Sequence, residues 1–257
     1  AGTALFLFPG MDAWLVIPLV LAASALGGLV WSLIPALLKA KLKVNEILTT
    51  LLLNYVAIIY MEQLFYGPWR DPAGFGFTGT AQIPEAAHLV RFSGTRISLG
   101  FPLALLCAVF LYYLLKKSIW GYQVLVIGKE QRAARYAGFN VNGKILTVMA
   151  LSGAFAGMAG MVEVCGIHYR LQTGLAVGYG YDGIIVAWLA GLNPLAVPFT
   201  AILLGALFVG GEQLQSVLGL PSSISLILEG ALLFGLFAGQ ALGGYTVTIS
   251  GRSKVAS

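Results

Sequence analysis

Long runs of apolar residues broken by short polar stretches set the pattern of this chain. A helix that crosses the hydrocarbon core of a bilayer needs about 20 mostly apolar residues. Seven segments approach that length: Ala13–Leu38, Val44–Tyr66, Ile97–Leu115, Ile145–Ile167, Tyr179–Leu192, Leu195–Leu218 and Ser223–Leu242. They predict an all-α polytopic transmembrane bundle, a single membrane domain over residues 1–257. The fifth segment is short and ends at Asn193-Pro194, which marks it as a broken or re-entrant helix. Two polar stretches stand out between the spans. Residues 67–96 are rich in Gly and Pro, and residues 116–144 are rich in Lys and Arg.

Composition agrees with a membrane chain. The 257 residues are 58% hydrophobic and only 10% charged, against roughly 25% charged in soluble domains, and mean hydropathy is +0.87. The net charge of +5 does not point to nucleic acid, because the basic residues sit in short loops at span ends and read as topology determinants. With the N-terminal end outside, the inner loops hold Lys39, Lys41, Lys43, Lys116, Lys117, Lys129, Arg132, Arg135, Lys144, Arg252 and Lys254, leaving Arg70, Arg91, Arg96 and Arg170 outside. That places 116–144 in the cytoplasm and 67–96 on the outer face, with Trp69 and Phe75 suited to the headgroup level. Cys107 and Cys165 lie in apolar stretches and predict structural burial rather than a disulfide. The opening AGTALFLF has no initiator Met or basic n-region, so the chain reads as a fragment or a processed product and no signal peptide is assigned.

Residues 128–140, GKEQRAARYAGFN, form a short basic segment bounded by Gly128 and Gly138. A helix over about 129–138 is expected, roughly 15 Å long. Ala133, Tyr136 and Ala137 fall on one side at i, i+3 and i+4, and Arg132 and Arg135 reach outward. Small alanines admit a partner surface closely. Tyr136 supplies an aromatic anchor, and the arginines suit carboxylates. The alternative is a cytosolic loop whose charge only sets topology. No GxxxxGK[ST] occurs anywhere, so ATP energy would have to come from another polypeptide.

GKEQRAARYAGFNV resembles the coupling-helix segment of ATP-binding-cassette importer permeases of the ribose, simple-sugar and branched-chain amino-acid class. The similarity continues in LIPALLKAKLKVNEILTTLLLNY and PWRDP upstream, which look like the nucleoside-type members. Downstream it extends through SGAFAGMAGMVEVCG, GYGYDGIIVAWLAGLNPLAV and LFVGGEQLQ, from about Ser32 to Gly239. The resemblance implies that Gly128, Arg132, Ala133, Ala134, Arg135, Tyr136, Ala137 and Gly138 couple the chain to ATPase subunits. It implies further a second permease, identical or related, and an extracytoplasmic substrate-binding protein. ATP and Mg would be bound by the partner ATPase, with no cofactor in this chain. The setting is a bacterial or archaeal cytoplasmic membrane and the cargo a nucleoside or a simple sugar. The family also carries apolar spans ahead of the equivalent of Ala13–Leu38, so seven spans are expected not to complete a permease half.

Within the spans, Gly153 and Gly157 form GxxxG, with Ser152, Ala156 and Gly160 at the same spacing, and Gly235, Gly239 and Gly243 repeat it later. Such stripes let two helix backbones meet, as a moving contact or, preferably, as static packing. The acids Glu62, Glu163, Asp182, Glu212 and Glu229 lie toward outer span ends and must face protein or water. Glu62, Glu163 and Glu212 favour structural pairing, while Glu229, deeper in its span, favours a cavity. Asn54 lies mid-span and needs a partner across helices or a place on the pathway. The stretch GYGYDGIIVAWLAGLNP adds Tyr181, Asp182, Trp188 and Asn193, where aromatic faces beside amides suit a base or a sugar ring. His168 reads as a loop residue rather than a metal ligand, since no second His or Cys is spaced to help it. No constellation for catalysis is present, and the chain is read as a transport subunit rather than an enzyme. The rival reading is an ATPase-independent secondary carrier or channel that uses the intramembrane acids.

Overall fold

The computed structural model describes residues 12–74, 78–92, 94, 97–175 and 178–218, with scattered positions between 223 and 239. The predicted span Ser223–Leu242, including Glu229, and the side chain of Glu212 lie outside or largely outside the described residues. Helices run in the order α1 (Ala13–Leu42), α2 (Glu46–Tyr66), α3 (Gly100–Lys117), α4 (Ile119–Lys129), α5 (Gln131–Tyr136), α6 (Val141–Glu163), α7 (Tyr179–Leu189) and α8 (Val197–Leu218). Among the described residues there are no named strands, only two isolated bridges. By length and composition α1, α2, α3 and the continuous stretch Val141–His168 are able to cross a membrane.

The helix ends are written in the sequence. At the start of α2 the Asn45 side chain accepts from Ile47 N at 2.9 Å, and at the start of α6 Asn140 does the same for Gly143 N at 2.9 Å. These caps satisfy amides that no helical carbonyl reaches. Between α1 and α2 the chain turns at Lys43 (φ 55), and Lys39 pairs with Glu46 across the turn. Ser118 ends α3 and caps α4, accepting from Gly121 N at 3.0 Å. Residues 116–144 are consequently almost wholly helical. The sequence reading expected a loop with one helix there and missed α4.

Among the described residues α1 and α6 form the most extensive helix pair. The predicted GxxxG lies in their contact. A Cβ placed on Gly153 would stand 2.4 Å from the Gly28 carbonyl oxygen, and one on Gly157 would stand 2.0 Å from that of Ser24. A Cβ on Gly28 would in turn meet the Gly153 oxygen at 2.1 Å. Any side chain would drive the backbones apart, so this seam depends on glycine. The reciprocal stripe on α1 is Ser24, Gly28 and Ser32, at the same four-residue spacing. Gly160, by contrast, has nothing near it.

Beyond the seam, the first half of α1 enters a closed cluster. Val16, Val20, Phe65, Ile83, Ala87, Leu89, Met161, Val164, Cys165 and Leu171 are all buried there. Residues 78–91, within the stretch 67–96 assigned to the outer face, fold inward as a cap. Thr80 N donates to Leu171 O (2.9 Å), Ile83 N to Tyr169 O (2.8 Å) and Leu89 N to Cys165 O (2.9 Å). Arg91 donates to Gly166 O at 3.0 Å and lies over the Tyr169 ring, against which His88 also stacks. Trp69, expected at the headgroup level, packs on this cluster. The cap packs on the exit of α6, where a π turn (Val164–His168) loosens the helix and Tyr169 (φ 57) ends it.

The chain divides into two compact units, Ala1–Gly178 and Tyr179–Ser257. In the second, α7 has 11 residues, a rise of about 16 Å, half the hydrocarbon thickness. Its predicted extension to Leu192 instead forms a turn with Leu192 at φ 57. α8 then begins at Val197, and Thr200 donates to Val186 O at 3.3 Å to tie it back to α7.

Candidate functional site

The segment between α4 and α6 is built on one small buried side chain. Ala134 is 0% exposed and packs with Ile127 of α4 and Val141 of α6. Phe139 and Ile145 close over this trio. The helix around Ala134 is shorter than the expected 129–138. Gly128 lies inside α4 and brackets nothing; the break falls at Glu130, whose extended backbone (φ −151) ends α4 and whose carboxylate accepts from Arg132 N at 3.0 Å. That local bond offers the chain an alternative to continuing one helix. The far end is as expected from glycine: Gly138 sits at φ 78, Gly138 N donates to Arg135 O and Phe139 N to Ala134 O, both at 3.0 Å. The pair of bonds is a Schellman motif.

With Ala134 turned inward, α5 presents the rest of its surface outward. Arg132, Ala133, Arg135 and Ala137 are exposed, and Tyr136 is 94% exposed. Ala134 therefore differs from its neighbours in the predicted coupling set, since it is buried within the chain and anchors the helix. Gln131 and Arg135 also border a cavity of about 440 Å³ shared with Lys39 and Lys43 at the end of α1 and with Asn140 to Asn142 at the start of α6.

A second cavity, about 380 Å³, opens between α1, α2 and α6 beside the glycine seam. Trp31, Ser32, Thr50, Asn54, Met149 and Ser152 line it. Thr50 and Asn54 share a face of α2 at i and i+4, which is how a mid-span amide escapes the surrounding hydrocarbon. Pro35, also on its wall, has no N–H to offer the Trp31 carbonyl one turn earlier in α1.

The other predicted pathway residues lie elsewhere. Glu163 is at the end of α6, its carboxylate 3.3 Å from His168 Nδ1, in the π turn rather than in a loop. The cavity around Asn54 does not include it. Tyr181, Asp182 and Trp188 belong to α7, with Asp182 half-buried and the two aromatic residues more exposed. Asn193 is exposed in the turn after α7 and accepts from Leu195 N at 3.3 Å. Trp31, Thr50, Ser32 and Ser152 line this cavity but were not singled out as pathway candidates from the sequence. The signal available was their four-residue register with Pro35, Asn54, Gly28 and Ala156 respectively.

Residues 1–237 match the family model described as branched-chain amino acid transport system / permease component. Among curated proteins, the chain is 34% identical over 230 residues to a guanosine ABC transporter permease protein of Bacillus subtilis, covering 86% of this chain and 65% of that protein. It is 31% identical to a glucose ABC transporter permease protein of Haloferax volcanii, covering 97% of this chain and 68% of the relative. A nucleoside ABC transporter permease protein of Lactococcus lactis is 24% identical, over 88% of this chain and 65% of its own length. The chain thus spans about two thirds of the length of these relatives. No solved structure matches it. With apolar helices long enough to span and a family match over nearly its whole length, this is a multi-pass membrane chain that belongs to the permease-component family of branched-chain amino acid transport systems.

Proposed function

We propose that the chain is the membrane subunit of an ATP-driven importer, with α5 as the element on which a separate ATPase docks. The observation that carries this reading is α5 itself. It is a six-residue helix pinned from beneath by Ala134, with Ala133, Tyr136 and the capping Ala137 exposed. A rigid, exposed aromatic beside small residues is the composition of an interface anchor. Because Ala134 packs on Val141 at the head of α6 and α6 meets α1 along the glycine seam, a push on α5 acts on both spanning helices as a body.

The cargo we assign is a nucleoside. Relatives named for guanosine and for nucleosides support it, with the glucose relative keeping a simple sugar as the next choice. The cavity beside the seam has matching chemistry: an indole face for stacking, an amide and three hydroxyls for hydrogen bonds, and a volume within the range of small-molecule sites. A second permease copy or homologue, ATPase subunits holding ATP and Mg, and a substrate-binding protein on the outer side complete the assembly in this proposal, in a bacterial or archaeal cytoplasmic membrane.

The test is uptake of labelled guanosine by vesicles holding the permease with its ATPase and binding protein. Uptake is expected to require ATP and to fall by at least about tenfold with Asn54→Leu, in line with the loss of a polar contact to a buried substrate. Uptake that persists without any ATPase, follows a proton gradient and disappears with Glu163→Gln would replace this reading with a secondary carrier.

A further inference from the structure

The cavity at the end of α1 holds more positive charge than the chain itself neutralises. Lys39, Lys43 and Arg135 all line it. Lys39 is paired with Glu46, and the other ion pair among the described residues is Glu163 with His168, so Lys43 and Arg135 belong to neither. Two cations held around one cavity of about 440 Å³ repel each other and favour an anion between them.

The depth of the cavity identifies that anion. No charged residue occurs between Ala13 and Leu38, about 39 Å of helix, which exceeds the hydrocarbon thickness of about 30 Å. Lys39 and Lys43 therefore fall at headgroup level. In α6 no charged residue occurs between Ile145 and Val162, about 27 Å, and the next position toward the cavity is Lys144. Both helices thus put this cavity at the same boundary, on the side that the Lys and Arg count assigns to the cytoplasm. Its wall is mixed: Ala40 and Ile145 face it from the apolar side, while Lys43, Arg135 and Asn142 supply donors.

We propose that this cavity binds the phosphodiester headgroup of an anionic phospholipid of the inner leaflet, with Lys43 and Arg135 as its cationic ligands. Basic pockets between spanning helices on this side suit such headgroups. The phosphate lies between the two cations, and the glycerol and first acyl carbons run down over Ile145. A lipid so placed touches α1, α5 and the head of α6 together, and its occupancy fixes α5 against the bundle.

Native mass spectrometry of the permease released from nanodiscs of equal phosphatidylglycerol and phosphatidylcholine tests the proposal. Wild type is expected to retain phosphatidylglycerol over phosphatidylcholine by about thirtyfold, the scale of two interfacial cations. Lys43→Gln with Arg135→Gln should bring the ratio near unity, Lys43→Arg should preserve it, and Lys117→Gln, off the cavity, should leave it unchanged. Retention of both lipids equally by wild type, or an undiminished preference in the double variant, would overturn the proposal. So would displacement of the lipid by excess inorganic phosphate, which would make this a site for a free anion. Loss of the lipid whenever an ATPase subunit binds would assign the cavity to protein docking instead, and would overturn it equally.

Discussion

The two ends of the α1–α6 pair are built to opposite rules. At one end ten buried side chains, from Val16 and Phe65 to Leu171, close into a cluster that residues 78–91 cover. At the other, three buried residues hold a six-residue helix in place while cations and an exposed tyrosine face outward around an open cavity. Burial on that scale gives the first end rigidity. The second gives up burial for surface that a partner and lipid headgroups are able to reach. The glycine seam joins them, so a small, weakly buried element is connected to a well-packed frame.

Breaking the seam should have the largest effect. Gly153→Leu places atoms where the Gly28 carbonyl and Ser32 already lie, and we expect a loss of at least about 3 kcal/mol, seen as collapse of monodisperse protein on size exclusion. Phe65→Ala comes next. It empties a fully buried site at the capped end and should cost about 3–5 kcal/mol, lowering the thermal midpoint in detergent while ATPase capture is retained below that midpoint. Ala134→Leu sharpens the contrast at the other end. Overpacking there should cost only about 1–3 kcal/mol, yet it lifts α5 off Val141 and should abolish ATPase capture. Smallest is Gly138→Ala, about 1 kcal/mol from the left-handed backbone at that position, read as a modest fall in midpoint with ATPase capture weakened rather than lost. Equal loss of capture in Phe65→Ala and Ala134→Leu would erase the distinction between the two ends.

The sequence made the helices and the small-residue contact legible because both depend on local spacing. Gly153 and Gly157 announced a close approach, but a stripe names no partner, and Ser24, Gly28 and Ser32 were visible only as residues of another span. The inward fold of 78–91 was not legible because its apolar positions Ile83, Ala87 and Leu89, which the cluster needed, follow no sustained helical or strand period. The break at Glu130 was hidden for a different reason. Glutamate is a good helix former, and only the bond from its carboxylate to Arg132 N favours a new start. Among the residues lining the cavity beside the seam, Asn54 was legible because an amide at mid-span demands a polar surrounding. Thr50, Ser32 and Ser152 were not, since hydroxyls satisfied by their own helix are common in membrane spans, and both Ser32 and Thr50 are bonded in that way. The bundle itself followed from apolar length, although α4 was lost to its small size and to the basic residues on either side.

Site-directed cross-linking between the permease and its ATPase tests the central claim most directly. Single cysteines would be introduced as Ala137→Cys or Ala134→Cys, with Cys107 and Cys165 changed to Ala. The account predicts that a cysteine at 137 reacts across the interface in the assembled complex, in step with retained ATP-dependent uptake, and that one at 134 does not. Cross-linking at 134 but not at 137, or ATP-driven uptake with neither position ever near the ATPase, would contradict it.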